Sequence, residues 1–167
     1  MKAAKRNRAF YGQYRHSADE KGRVSMPADF RPLLLGKRAS FFLNRGFEGC
    51  VMAYPEEKWD RVLELVNARP LDDENTRWFK RAFFSGAKEV SCDQQGRILL
   101  PQFLKDYAGI TTDVVIVGVS DYVEIWDAET WEKSIEERMG EYGKSAEKMV
   151  ESAVRGKKPS EEASEGA

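Results

Sequence analysis

Apolar positions along the chain alternate in short runs, then recur at helical spacing, and this order occurs twice. Alternation predicts strands over residues 10–17, 23–26, 40–44 and 50–54, and again over 88–92, 97–100, 113–117 and 122–126. Pro27 and Pro101 each stop a short strand and open a one- to two-turn helix. Each series closes with a longer helix, over 55–66 and 128–140. Trp59, Val62, Leu63 and Val66, and then Trp131, Ile135 and Met139, mark the faces turned to the core. Between the series, Trp78, Phe79, Ala82 and Phe83 predict a linking helix ended by Gly86, with Arg77, Lys80 and Arg81 on its other side. From Tyr142 onward apolar periodicity gives way to Glu, Ser and Lys, which reads as a fraying helix passing into a disordered tail.

The two series are copies. Asp19-Glu-Lys-Gly-Arg23-Val-Ser-Met-Pro27-Ala-Asp-Phe-Arg31 returns 74 positions later as Asp93-Gln-Gln-Gly-Arg97-Ile-Leu-Leu-Pro101-Gln-Phe-Leu-Lys105. Phe41-Phe-Leu is answered by Val114-Val-Ile, and Tyr54 and Trp59 by Trp126 and Trp131. In each copy Asp-x-x-Gly predicts a tight turn, because Asp can accept hydrogen bonds from its own backbone and Gly supplies positive φ. A unit of roughly 50 residues buries too little surface to stand alone. The copies therefore share one core, which puts both turns on one face of a single mixed α+β domain. The organisation expected is a basic extension (1–9), a first repeat (10–66), a linking helix (67–87), a second repeat (88–140) and a charged tail (141–167).

Charge sharpens this picture only through its distribution. The 27 basic and 28 acidic side chains nearly cancel, yet residues 1–38 hold ten Lys/Arg against three acids. A strongly basic N-terminal part points to an anionic partner, nucleic acid before any other. Other chemistries find little support. Cys50 and Cys92 lack the spacing of a zinc site and are expected to be inert, buried thiols, and His16 has no second histidine. No P-loop, GxGxxG, HExxH or nucleophile elbow is present, so neither an enzyme, a cofactor nor a small-molecule substrate is expected. No apolar run approaches the roughly 20 residues of a membrane span, and the basic N-terminus is not followed by a secretory core, so a cytoplasmic protein is expected.

Within the turns, Arg23 and Arg97 are candidates for reading guanine, to whose O6 and N7 a guanidinium offers two parallel donors. Lys21, Arg15, Arg31 and Lys105, the counterpart of Arg31, would meet phosphates, and Gln94 and Gln95 could pair with adenine edges. Asp19, Gly22, Asp93 and Gly96 would shape the turns. A second reading stands beside this one: Asp19 with Arg23, and Asp93 with Arg97, are ion pairs that hold each turn together. The two readings are compatible.

The doubled Asp-x-x-x-Arg, with GRVSMPADFR, CVMAYPEEKW, GRILLPQFLK and VEIWDAETWE, resembles the MraZ family of bacterial regulators over about residues 10–140. That resemblance implies two pseudo-symmetric βαββα-type halves forming one swapped-hairpin, AbrB-like and β-barrel-like domain with peripheral helices. It further implies a nucleoid-associated repressor, assembled as a ring-shaped homo-oligomer, that binds short direct repeats of double-stranded DNA in the promoter of its own division and cell-wall operon. A protein-interaction or assembly module on the same fold is the alternative. The second copy departs from the first by carrying Gln94 and Gln95 in place of charges, so the copies need not contact DNA equally.

Overall fold

The computed structural model describes residues 9–155. The basic segment expected over residues 1–9 lies outside them except for Ala9, as does the end of the tail, residues 156–167. The elements follow the duplicated order. β1 (Gln13–Ser17), β2 (Arg23–Ser25), α1 (Arg31–Leu35), β3 (Phe41–Arg45), β4 (Val51–Pro55) and α2 (Glu56–Asn67) make the first series. After α3 (Glu74–Gly86) come β5 (Lys88–Val90), β6 (Arg97–Leu99), α4 (Gln102–Ala108), β7 (Asp113–Val119), β8 (Tyr122–Asp127) and α5 (Ala128–Arg138).

Six strands form an antiparallel sheet in the order β1-β7-β8-β4-β3-β5, and β2 pairs with β6 in a separate antiparallel ladder. Exchanging each element for its copy reverses the six-strand order onto itself, so the sheet has an internal pseudo-two-fold axis between β4 and β8. The first strand of each half crosses to the other half: β1 lies on β7, and β5 on β3. Each Asp-x-x-Gly turn therefore joins two strands that leave for different ladders. Only the Ala18–Val24 bridge pairs the two sides of the first turn beyond the turn itself. The expected hairpins are thus confined to the turns, and the six-stranded sheet is left open at β1 and β5 instead of closing as a barrel. Both departures are one fact: β2 and β6 pair with each other but, past the Ala18–Val24 bridge, do not extend the ladder onto β1 or β5.

Alternation along the strands sends side chains to two layers. Phe41, Leu43, Val51, Ala53, Val114, Ile116, Val123 and Ile125 join Val24, Ile98, Phe30, Leu34 and Leu104, sealing the sheet beneath the β2–β6 ladder, α1 and α4. On the opposite face Cys50, Met52, Tyr54, Trp59 and Trp126 form a second, aromatic cluster with Phe42, Phe83 and Trp131. Phe83 of α3 and Phe42 stack on the two sides of Trp59, with centroids 5.4 and 5.0 Å away. Close approach of α3 to β3 requires Gly86, where a Cβ would strike the Asn44 side chain, and Arg45 Nη1 donates to the Ala82 carbonyl at 2.6 Å.

The first strand begins later than its pattern predicts, because Gly12 (φ 84°) breaks the run and Phe10 instead bridges Ser120. Likewise α1 begins at Arg31 after a turn that starts at Pro27, whereas α4 follows Pro101 directly. These elements, through Trp131, belong to one compact unit, and residues from Glu132 belong to a second. In that second unit α5 runs on to Arg138, a short 3₁₀ turn covers Met139–Glu141, and α6 covers Tyr142–Arg155. The part of the tail expected to lose periodicity keeps it through small and flexible residues: Tyr142, Ala146, Met149, Val150, Ala153 and Val154 fall on one side of α6. No helix among the described residues is long and apolar enough to cross a membrane.

Candidate nucleic-acid interface

Both turns are built by one device. Asp19 Oδ1 accepts from the backbone N–H groups of Lys21 (3.0 Å) and Arg23 (2.9 Å), while its Oδ2 accepts from Arg23 Nε at 2.7 Å. Asp93 repeats this with Gln95 N, Arg97 N and Arg97 Nε, each at 2.9 Å. The main chain closes each loop, with Gly22 N donating to Asp19 O (2.8 Å) and Gly96 N to Asp93 O (3.0 Å). Gly22 and Gly96 sit at φ 79° and 74°, where a side chain is disfavoured. Backbone N–H donation from Arg23, followed by its guanidinium, holds the Asp19 carboxyl below the ordinary carboxylate range. The corresponding groups of Arg97 do the same for Asp93.

The turns then interlock. Met26 N donates to Gly96 O at 2.9 Å, and Leu100 N to Gly22 O at 3.0 Å, so each glycine carbonyl is satisfied by the other copy. Val24 faces Ile98 at the centre of the ladder, both wholly buried, and alternation turns Arg23 and Arg97 to the outer side. Arg97 Nη1 comes within 3.9 Å of Asp19 Oδ2, which joins the two ion pairs into one group.

Covering side chains cross over as well. Arg31 lies across Gly96 so closely that a Cβ there would meet its guanidinium, and Lys105 passes Gly22 with Nζ about 3.6 Å from the Cβ position. Arg31 is therefore a cover over the opposite turn, with its Nε buried and without a hydrogen-bond partner. That seat closes off Nε alone, so the phosphate contact expected of Arg31 would fall to its terminal nitrogens.

Two arginines with equal sequence context differ in what they have left to offer. Arg23 spends Nε on Asp19, and among the described residues its terminal nitrogens have no partner; its side chain is 34% exposed. Arg97 commits Nε and Nη2 to Asp93 and turns Nη1 to Asp19, at 26% exposure. Lys21, Gln94 and Gln95 are exposed at the turns. Arg15 lies on β1 and, with His16, Ser17 and Asp113, lines a shallow depression near the start of α5. The structure thus groups Asp19, Lys21, Gly22, Arg23, Arg31, Asp93, Gln94, Gln95, Gly96, Arg97 and Lys105 in two interlocked turns, with Arg15 on the strand that leads in. Sequence reasoning did not find the crossed covers or the outward Leu99 beside Arg23, since both depend on which strand pairs with which. Among the described residues no group of His, Cys, Asp and Glu could hold a metal ion.

Comparison with known proteins agrees with the doubling. A family profile described as "MraZ protein, putative antitoxin-like" matches the chain twice, over residues 9–82 and 83–151. The protein named transcriptional regulator MraZ of Acetivibrio thermocellus is 44% identical over 142 residues, 85% of this chain and 94% of that one. Its namesake in Heliobacterium modesticaldum is 42% identical over 85% of this chain and 97% of its own length, and that of Syntrophomonas wolfei 40% identical over 87% and 99%. These relatives carry the name of a regulator, not of an enzyme. With both matches spanning the interlocked turns, the chain belongs to the MraZ family.

Proposed function

We propose that this protein is a sequence-specific DNA-binding transcriptional regulator, a repressor of its own division and cell-wall operon that engages short direct repeats from a ring-shaped homo-oligomer. The observation that carries this reading is the pair of interlocked turns, which hold two guanidinium groups in one rigid, outward-facing cluster. The regulator names of the relatives support it, and the β1–β7 and β5–β3 crossovers favour a swapped-hairpin, AbrB-like description of the fold. Double-stranded DNA is the partner, and the cytoplasm, on the nucleoid, is the place of action.

In this reading Arg23 presents its terminal nitrogens to guanine O6 and N7 while Asp19 fixes its Nε, so little side-chain freedom is lost on binding. Arg97 enters as the more restrained partner, Gln94 and Gln95 lie at the tip of the second turn for adenine edges, and Lys21, Lys105 and Arg15 meet phosphates. Each good base contact contributes about 1–3 kcal/mol, so repeated display along the DNA is needed for tight binding.

The test is Arg23→Ala in a gel shift on the DNA upstream of this gene, at several salt concentrations and beside size-exclusion of the same variant. Specific binding is lost while folding and assembly persist. Lys21→Ala instead weakens all DNA alike and lowers the salt slope by about one. An Arg23→Ala protein that still binds the repeats normally assigns the Asp–Arg pairs to turn structure alone.

A further inference from the structure

Two apolar surfaces of this chain are left open, and they match. The first is the stripe on α6, where residues 142, 146, 149, 150, 153 and 154 cover roughly 140° of the helix at 100° per residue. Met149 is 76% and Val150 64% exposed. Glu147 is the charge at its edge, next to Val150 and Val154, while the other edge carries Ser145 and Ser152. A lone helix of 14 residues is marginal in water unless its apolar face is covered. The second surface is a groove of about 550 Å³ between α2 and α3, walled by Leu65, Val66 and Phe79 with Arg69 at its side. Leu65 is 72% exposed. No ion pair engages the Arg69 guanidinium among the described residues, and the Asp73 carboxylate in the same groove is spent on Thr76 N and Oγ1, at 2.7 and 2.8 Å.

We propose that α6 of one copy lies in the α2–α3 groove of a second copy, with Met149 and Val150 against Leu65, Val66 and Phe79 and Glu147 paired with Arg69. The occupant is a second copy because the ridge carries an unpaired acid at its edge where the groove carries an unpaired base. Covering the ridge in this way also covers the groove. The contact is heterologous, since ridge and groove are different surfaces, so every copy gives one and receives one. This inference rests on the self-assembly in the proposed function and is independent of whether the turns read DNA.

Sedimentation velocity on the full chain, with circular dichroism to verify folding, tests it through a charge exchange. Wild-type protein associates with rising concentration, and Val150→Asp remains monomeric at concentrations where the wild type is fully assembled. Glu147→Arg and Arg69→Glu each weaken association roughly tenfold, and the double variant recovers to within about threefold of wild type. A monomeric wild type, a Val150→Asp protein that assembles normally, or a double variant no better than the singles overturns the proposal. Gel shifts on the same samples separate the two readings: a wild type that assembles through Val150 yet ignores the promoter duplex removes the DNA reading and leaves this contact standing.

Discussion

Truncating Ile98 should damage both turns at once, whereas truncating its neighbour Leu99 should hardly be felt. Ile98 is wholly buried against Val24 at the centre of the β2–β6 ladder, while Leu99 is 59% exposed on the outer side, opposite Arg23. Ile98→Ala removes three carbons from a closed site, at about 0.8 kcal/mol each, and leaves a cavity, for a cost of about 3 kcal/mol within the usual 2–5 kcal/mol range. Leu99→Ala removes the same carbons from a site less than half buried, for about 1 kcal/mol or less. At roughly 2–4 °C per kcal/mol for a chain of this size, thermal unfolding should show Tm falling by about 6–12 °C for Ile98→Ala and by no more than about 4 °C for Leu99→Ala. Equal losses would mean that β6 is turned the other way. Arg97 would then face the core, and the outward display of both guanidinium groups would fail with it.

Gly118→Ala should cost about 1–3 kcal/mol in chemical unfolding, since a Cβ there runs into the backbone of Phe10 and Tyr11, which cannot rotate away. Asp19 and Asp93 titrate below their ordinary 3.8, so the stability they provide is complete above that value and is lost as pH falls through their lowered values. Below about pH 4 the urea midpoint of the wild type should fall more steeply than that of an Asp19→Asn/Asp93→Asn protein, and parallel curves would contradict the assignment. Burial pushes the Cys50 thiol up to about 12, with the Glu124 carboxylate adding to the effect, while Cys92 is raised by burial but remains partly exposed. Ellman's reagent at pH 8 should therefore find one slow thiol in native protein and two after unfolding.

The repeat made much of the fold legible before any coordinates. A spacing of 74 residues gave the equivalence of Val24 with Ile98 and of the two Asp-Gly-Arg turns, because each copy must satisfy the same local backbone demands. Helix α2 and strands β3, β4, β7 and β8 follow from periodicity, which local burial enforces. What stayed hidden is what one copy does to the other. Nothing near Arg31 in sequence reveals that it lies over Gly96, and nothing near β1 reveals that it pairs with β7 instead of β2. These are pairings between halves, chosen by the shared core, and local pattern carries no record of them. The periodicity of α6 was legible but diluted, since Ala146 and Ala153 occupy two of its six apolar positions.

Fusion of the two copies in one chain has a consequence that a symmetric pair of identical halves could not have. In such a pair both turns would be the same and the cluster would look alike from either direction. Here the first turn has Lys21 and an arginine with two open nitrogens, while the second has Gln94 and Gln95 and an arginine held by two carboxylates. The face therefore has a polarity, with the charged pair Glu20 and Lys21 at one end and two uncharged glutamines at the other, on a backbone that remains nearly two-fold. A face with polarity distinguishes the two orientations of a bound duplex, which is what successive copies need if they are to engage direct rather than inverted repeats. Lessening the difference, with Gln95→Lys in the second turn, should raise affinity for any duplex through an added phosphate contact while reducing the preference for direct over inverted repeats. A variant that gains affinity and keeps the full preference would locate the polarity elsewhere, in the assembly and not in the turns.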